Sequence, residues 1–333
     1  MRILVVRTDR MGDVLLSTPV PRALKRNSRD YHVTMMVTSY TRPIVEKNPH
    51  VDEILEYDSR ERNRDIITRL KRGKYDVAVV LHPTPHLAWI LAQAGIPRRI
   101  GTASRLYSFL FTERIPIRRS VSGLHEAECN LALVKSLSGA VEKVLPEFFI
   151  DDMERDEADK RLESLGLNSG GFVVIHPGSG GSARGWPVQS FASLADAVSS
   201  RMGTRVLVTG GPGEGKLVSE AAALMSSAPV AMAESLGIRE LAPVLGSASV
   251  LVTNSTGPMH LATAVDTPVV AIFCPIVGCA PSRWGPLGDR NVVLIPDVPS
   301  CKRCTGERCV YYDCMSKVSV DSVLGAVEKL LIG

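Results

Sequence analysis

A chain of 333 residues exceeds what one hydrophobic core organises, so two domains of roughly 150 residues each are expected. With 45% hydrophobic residues, 22% charged residues and a net charge of +4, the composition is that of an ordinary globular protein. No run reaches the roughly 18 uncharged apolar residues that a membrane span needs, and the apolar stretch at residues 3–6 is too short for a secretory leader, so a cytoplasmic protein is expected.

The first half alternates strand-like and helix-like runs. Apolar strands are predicted at "RILVVR", "HVTMMVTS", "VDEILEYD", "YDVAVVLHP" and "RRIGTA". Between the first strand and a predicted helix over residues 14–24 lies "RTDRMGD". A nucleotide-binding turn at this place carries several glycines so that backbone can approach a pyrophosphate. Here Gly12 stands alone among Arg7, Asp9, Arg10 and Asp13, and the two carboxylates would repel a phosphate. Asp13 is read either as a base acting on a hydroxyl or as a first-turn aspartate satisfying backbone donors. Basic residues concentrate in this half, among them Arg22, Lys25, Arg26, Arg29, Arg98, Arg99, Arg105, Arg114, Arg118 and Arg119. They suit an anionic partner, or they are solvated faces and loops.

The segment "DDMERDEADKRLESLGLNSGG" reads as a charged helix closed by glycines and places the domain boundary near residues 151–171. The expected division is residues 1–160, residues 171–316, and a closing helix over 317–333.

Strands in the second half are predicted at "FVVIHPGS", "TRVLVTGG", "PVAMAES", "SVLVTNS" and "TPVVAIFCP". Phe191, Leu194, Ala195 and Val198 fall at i, i+3, i+4 and i+7 and form a core stripe of the intervening helix. Each half thus reads as a doubly wound α/β unit with a parallel sheet, and ligands of such sheets bind beyond the carboxyl ends of the strands. The loop "HPGSGGSARGWP" offers glycines for close approach, the hydroxyls of Ser179 and Ser182, and the fixed cation of Arg184, a set that suits a diphosphate. The loop "TGGPGEGKL" nearly matches a P-loop, but Leu217 stands where a magnesium-binding Ser or Thr is required, which excludes that class. Its Glu214 suits ribose hydroxyls, or equally a helix first turn. In "TNSTGPMHLATA" the capping types Asn254, Ser255 and Thr256, followed by Gly257 and by Pro258 at the first helical position, predict a helix N-terminus free to hold an anion. His260 by itself reads as a packed helix histidine.

The tail "CKRCTGERCVYYDC" carries Cys301, Cys304, Cys309 and Cys314. The spacing is compatible with a structural zinc, but free or disulfide-linked packing cysteines are the favoured reading; interleaved Lys, Arg and Tyr make a nucleic-acid site the least favoured of three. Cys129, Cys274 and Cys279 form no obvious set with them.

Together, "ILVVRTDRMGDVLLSTPVPRALK", "HPGSGGSARGWPVQSFASLA", "LVTGGPGE" and "LVTNSTGPMHLATAVDTPVVAIFCP" resemble glycosyltransferase family 9, the lipopolysaccharide heptosyltransferases, over nearly the whole chain. The resemblance implies the GT-B fold, two Rossmann-like domains facing across a cleft, with the acceptor on the first and a nucleotide-sugar donor on the second. It implies Asp13 as general base, Gly12 and Arg10 on the acceptor side, and Ser179, Gly180, Arg184, Glu214, Ser255, Thr256, Gly257 and His260 at the donor. Relatives often carry Asp at the position of Ser255, near the donor sugar, and Lys at that of Arg184.

The implied reaction is inverting transfer of a heptose from ADP-heptose to a sugar hydroxyl of the lipid A inner core, with no cofactor, no metal and no nucleic acid. It would take place in the cytoplasm, with peripheral contact with the inner membrane left open. Alternatives are another donor or acceptor within the family, a sugar-nucleotide epimerase, or a silent carbohydrate-binding subunit.

Overall fold

The computed structural model describes residues 1–139, 145–181, 184–226, 231–233 (backbone only) and 236–332. The chain divides into two units, Met1–Phe149 and Ile150–Gly333. The first is built on strands β1 (Arg2–Val6), β2 (His32–Val37), β3 (Glu53–Glu56), β4 (Val77–Val80), β5 (Arg98–Thr102) and β6 (Glu113–Ile115), all parallel, in the order β3-β2-β1-β4-β5-β6. Ile3, Leu4, Val5 and Val6 are all fully buried, because a central parallel strand is covered on both faces and needs apolar side chains at consecutive positions.

The second unit repeats the plan with β7 (Phe172–His176), β8 (Arg205–Thr209), β9 (Ala231–Ala233), β10 (Val250–Asn254), β11 (Val269–Ile272) and β12 (Asn291–Leu294), again all parallel. Its order is β12-β11-β10-β7-β8-β9. Read from the other edge this is the same sequence of positions as in the first sheet, so each unit has one switch point: between β1 and β4, and between β7 and β10. Crevices beyond the carboxyl ends of strands at such points are where open α/β sheets bind ligands.

All ten predicted strands have counterparts; part of "PVAMAES" lies outside the described residues, as does Ser182. The edge strands β6 and β12 were not predicted. Each is short and half-exposed, so neither carries the continuous apolar run that marked the others. The stripe Phe191, Leu194, Ala195, Val198 is buried in helix Val188–Met202, which ends at Gly203 in the left-handed conformation, φ 63°.

The charged helix, Asp152–Ser164, groups with the second unit instead of separating two domains. Its capping box explains the start: Asp151 accepts the Glu154 N–H at 2.9 Å, and Glu154 accepts the Asp151 N–H at 3.1 Å. Glu154 also takes Arg239 Nε at 2.7 Å, which ties this helix to helix Ile238–Gly246 of the same unit. The closing helix, Val320–Ile332, buries Val323, Leu324, Ala326 and Val327 against helix Val188–Met202.

Candidate active site

In the first unit the crevice between β1 and β4 is organised by Arg7. Its backbone N–H still donates to Met36 at 3.0 Å, continuing the sheet by one residue, while its side chain is 1% exposed. A buried guanidinium needs every donor matched. Arg7 Nε donates to Asp9 at 2.7 Å, one terminal nitrogen pairs Asp13, and the other donates to Glu126 at 3.0 Å and Asn130 at 3.1 Å. Glu126 and Asn130 come from helix Glu126–Ser138, over a hundred residues away in sequence. Arg119 reinforces both, pairing Glu126 and donating to Asn130 at 3.1 Å. Asn130 then returns to the first turn, donating to the Leu16 carbonyl and Ser17 Oγ, each at 3.1 Å.

Asp13 sits at the third position of the short helix Met11–Leu15, with Arg10 as its N-cap residue and Gly12 beside it. Burial pushes the Asp13 carboxyl above the ordinary aspartate range, and Arg7 only partly opposes this. A raised value brings the carboxylate toward the basicity a proton acceptor needs near neutral pH. Beyond β4, half-exposed His82 approaches Asp9, Nδ1 to Oδ2 3.5 Å, and burial lowers its pKa.

In the second unit the loop after β7 is shaped by what lies behind it. His176 is buried, its Nδ1 3.0 Å from Thr209 Oγ1 and its Nε2 3.4 Å from Glu214. Glu214 also accepts the Gly211 N–H at 2.8 Å, and these contacts hold its pKa down, the His176 bond first, so it stays a carboxylate. Gly178 makes this possible: a Cβ there would lie 2.1 Å from Glu214 Oε2.

Ser179 and Gly180 follow on the same loop, and the backbone of Ser179 also bonds Glu214. The loop is fastened at its far end by Asn254, whose Oδ1 accepts the Trp186 N–H at 2.8 Å and whose Nδ2 donates to the Pro177 carbonyl at 2.9 Å. Asn254, expected as a capping type, is therefore a loop fastener.

Ser255 continues the sheet through its N–H to Ile272 at 3.1 Å. Thr256 is the N-cap of helix Gly257–Ala264 by position, but its hydroxyl makes no cap bond and, among the described residues, is buried without a partner. Pro258 occupies the second helical position rather than the first. His260 is buried within this helix. An uncapped helix start next to an unsatisfied hydroxyl is suited to a hydrogen-bonding anion.

Arg184 lies against the tail. Its guanidinium stacks on Tyr312, 4.5 Å from the ring centroid, and donates to the Tyr312 carbonyl. The seven cysteines are free thiols. Cys274, which the sequence did not connect to the tail, lines one small cavity with Cys301, Cys304, Cys309, Cys314 and Arg184. A hydrogen bond from Cys274 pulls the Cys279 thiol down to about 7. Among the described residues no three His, Cys, Asp or Glu side chains stand as a metal-binding set.

Arg7, Glu126, Asn130, His82 and His176 had no assigned role in the sequence reading, Arg119 stood only among the basic residues of the first half, and Asn254 only as a capping type. The available signal was the charge of Arg7 at a strand end that should be buried. Its partners are too far off in sequence for spacing to show them.

Two parallel-sheet domains with strand order 3-2-1-4-5-6, each with its polar residues gathered at the switch point, define the GT-B fold. The profile of glycosyltransferase family 9 (heptosyltransferase) matches residues 63–314, and the chain belongs to that family. It is similar to lipopolysaccharide heptosyltransferase 3 of Escherichia coli K12, 27% identical over 287 residues that cover 79% of each chain. Among solved structures it is similar to a family 9 glycosyltransferase of Veillonella parvula, with TM-score 0.86 and 24% identity over 99% of this chain and 97% of that one. It also matches ADP-heptose LPS heptosyltransferase II of E. coli, with TM-score 0.82 and 22% identity over 100% of this chain and 99% of that one.

Proposed function

We propose that this enzyme transfers a heptose from ADP-heptose, with inversion, to a sugar hydroxyl of the lipopolysaccharide inner core. The observation that carries the reading is the partly buried carboxylate of Asp13, raised in pKa and aimed by Arg7, beyond the end of β1. Asp13 takes the proton of the acceptor hydroxyl as its oxygen attacks the anomeric carbon, and ADP leaves. In the second domain Glu214 receives the ribose hydroxyls. The diphosphate lies on the backbone at Ser179 and Gly180 and on the helix start at Thr256 and Gly257, where donors are fixed before charge develops. Arg184 adds charge to the leaving diphosphate from its perch on Tyr312. Ser255, where relatives often have Asp, faces the donor sugar, and His260 supports the helix turn; Arg10 and Gly12 flank the acceptor.

The family assignment and the names of the E. coli relatives support heptose, ADP and a lipopolysaccharide acceptor. The test is a screen of the purified protein against ADP-heptose and other nucleotide sugars with an inner-core acceptor, read by product mass. Product gaining one heptose, with ADP released only when acceptor is present, is the expected result. Gain of a different sugar corrects the donor. Conversion of the donor without an acceptor replaces transfer by epimerisation.

A further inference from the structure

Between β5 and the helix at Glu126–Ser138, residues 103–124 place four arginines against a single acid, Glu113. That acid is already taken by Arg98, at 2.9 and 2.6 Å. Elsewhere in the same unit Arg2, Arg22, Arg42, Arg60 and Arg62 each hold a carboxylate. Arg105, Arg114 and Arg118 are exposed and, among the described residues, form no ion pair. A cluster of this kind lacks its counter-charge within the domain.

The same segment holds out apolar side chains. Leu106 and Phe109 stand one turn apart in the 3-10 helix Leu106–Leu110, where i and i+3 eclipse, so both project from one edge. They are 99% and 73% exposed, and Val121 on the adjoining loop is 75% exposed. The turn behind them is fastened: Tyr107 donates to the Pro83 carbonyl at 2.6 Å, Ser108 to the Thr102 carbonyl at 2.7 Å, and Phe111 is buried over Gly101. The loop bearing Arg118, Val121 and Leu124 lines a groove with Ala103 and Ser104, next to Arg105. Leu106 and Phe109 are therefore presented by a fixed support.

We propose that this surface, Leu106, Phe109 and Val121 set among Arg105, Arg114 and Arg118, docks the first domain on the surface of an anionic phospholipid bilayer. Three separated apolar knobs are far short of the roughly 800 Å² per partner of a stable protein interface. Side chains of this length do suit the headgroup boundary, with arginines at the phosphate level, and neither group alone gives firm anchoring. The inference goes beyond the transfer reaction and does not depend on it.

The test is sedimentation of the full chain with vesicles free of any acceptor glycolipid, either of neutral phosphocholine lipid or with about 30 mol % of anionic phosphoglycerol lipid. The parent should sediment with the anionic vesicles alone and be released by about 0.5 M NaCl, which screens beyond a few ångströms. Arg114→Gln with Arg118→Gln should lower partitioning about thirtyfold, the effect of about 1 kcal/mol per arginine. Leu106→Ser with Phe109→Ser should abolish retention, with circular dichroism and thermal midpoint unchanged. A parent that stays in the supernatant, or folded variants that bind as the parent does, overturns the proposal. Self-association of the parent that the Leu106 and Phe109 changes dissolve, without vesicle binding, also overturns it and assigns the surface to a second copy. Because no acceptor is present, loss of docking and loss of transfer are read separately.

Discussion

The guanidinium of Arg7, 1% exposed, pairs the carboxylate of Asp13 across the end of β1 and at the same time holds Asp9 and Glu126. Arg119 shares Glu126 with Arg7, so two guanidinium groups face three carboxylates in a largely buried place. Desolvation then raises the Asp13 pKa despite the ion pair. The arrangement aims the carboxylate without fully quenching its basicity.

Asp13→Asn keeps the shape of the side chain and removes the proton acceptor. Turnover should fall by about 10²–10⁴, the usual contribution of a general base, while the affinity for donor measured by calorimetry stays unchanged. Equal turnover in variant and parent would end the base assignment.

The pH profile carries the same signature. The base works only when ionised, so activity falls as pH drops through the Asp13 pKa, and that limb should lie above the value of about 3.9 of an ordinary aspartate. Arg7→Lys keeps one positive charge but cannot bridge three carboxylates. It should weaken the opposing pull on Asp13 and move the acid limb of kcat/KM to still higher pH. A limb that does not move would show that Arg7 serves the fold alone.

Asn130 is fully buried and joins Arg7 and Arg119 to the first turn at Leu16 and Ser17. Asn130→Ala strands buried donors on both arginines and should cost about 3 kcal/mol. At about 2–4 °C per kcal/mol, the thermal midpoint should fall by about 6–12 °C. A fall of under about a degree would mean that water or a neighbour replaces the amide at no cost.

Gly178→Ala tests the donor side. The added Cβ would sit 2.1 Å from Glu214 Oε2, so the carboxylate must leave His176 and Gly211. KM for the nucleotide sugar should rise about tenfold, the loss of one hydrogen bond to a charged group, with kcat little changed. An unchanged KM would remove Glu214 from donor binding.

The main strands, the helix stripe at Phe191, Leu194, Ala195 and Val198, and the glycine-rich turns were legible in the sequence. Each follows from neighbours a few residues apart: consecutive apolar positions for a doubly covered strand, 3.6-residue spacing for a one-sided helix. Short half-exposed β6 and β12 carry no such pattern. The helix after Phe149 could be recognised by its charge, but not the unit it joins, since that depends on the pairing of Glu154 with Arg239.

By itself the sequence determined two α/β halves, polar loops at the strand ends, and Asp13 in the first turn. Tertiary structure alone decided what those residues feel. The long-range contacts of Arg7 with Glu126 and Asn130, of Trp186 with Asn254, and of Arg184 with Tyr312 join positions 68 to 128 residues apart. Burial and charge pairing depend on distance in space, and over such separations only the folded sheet order sets that distance.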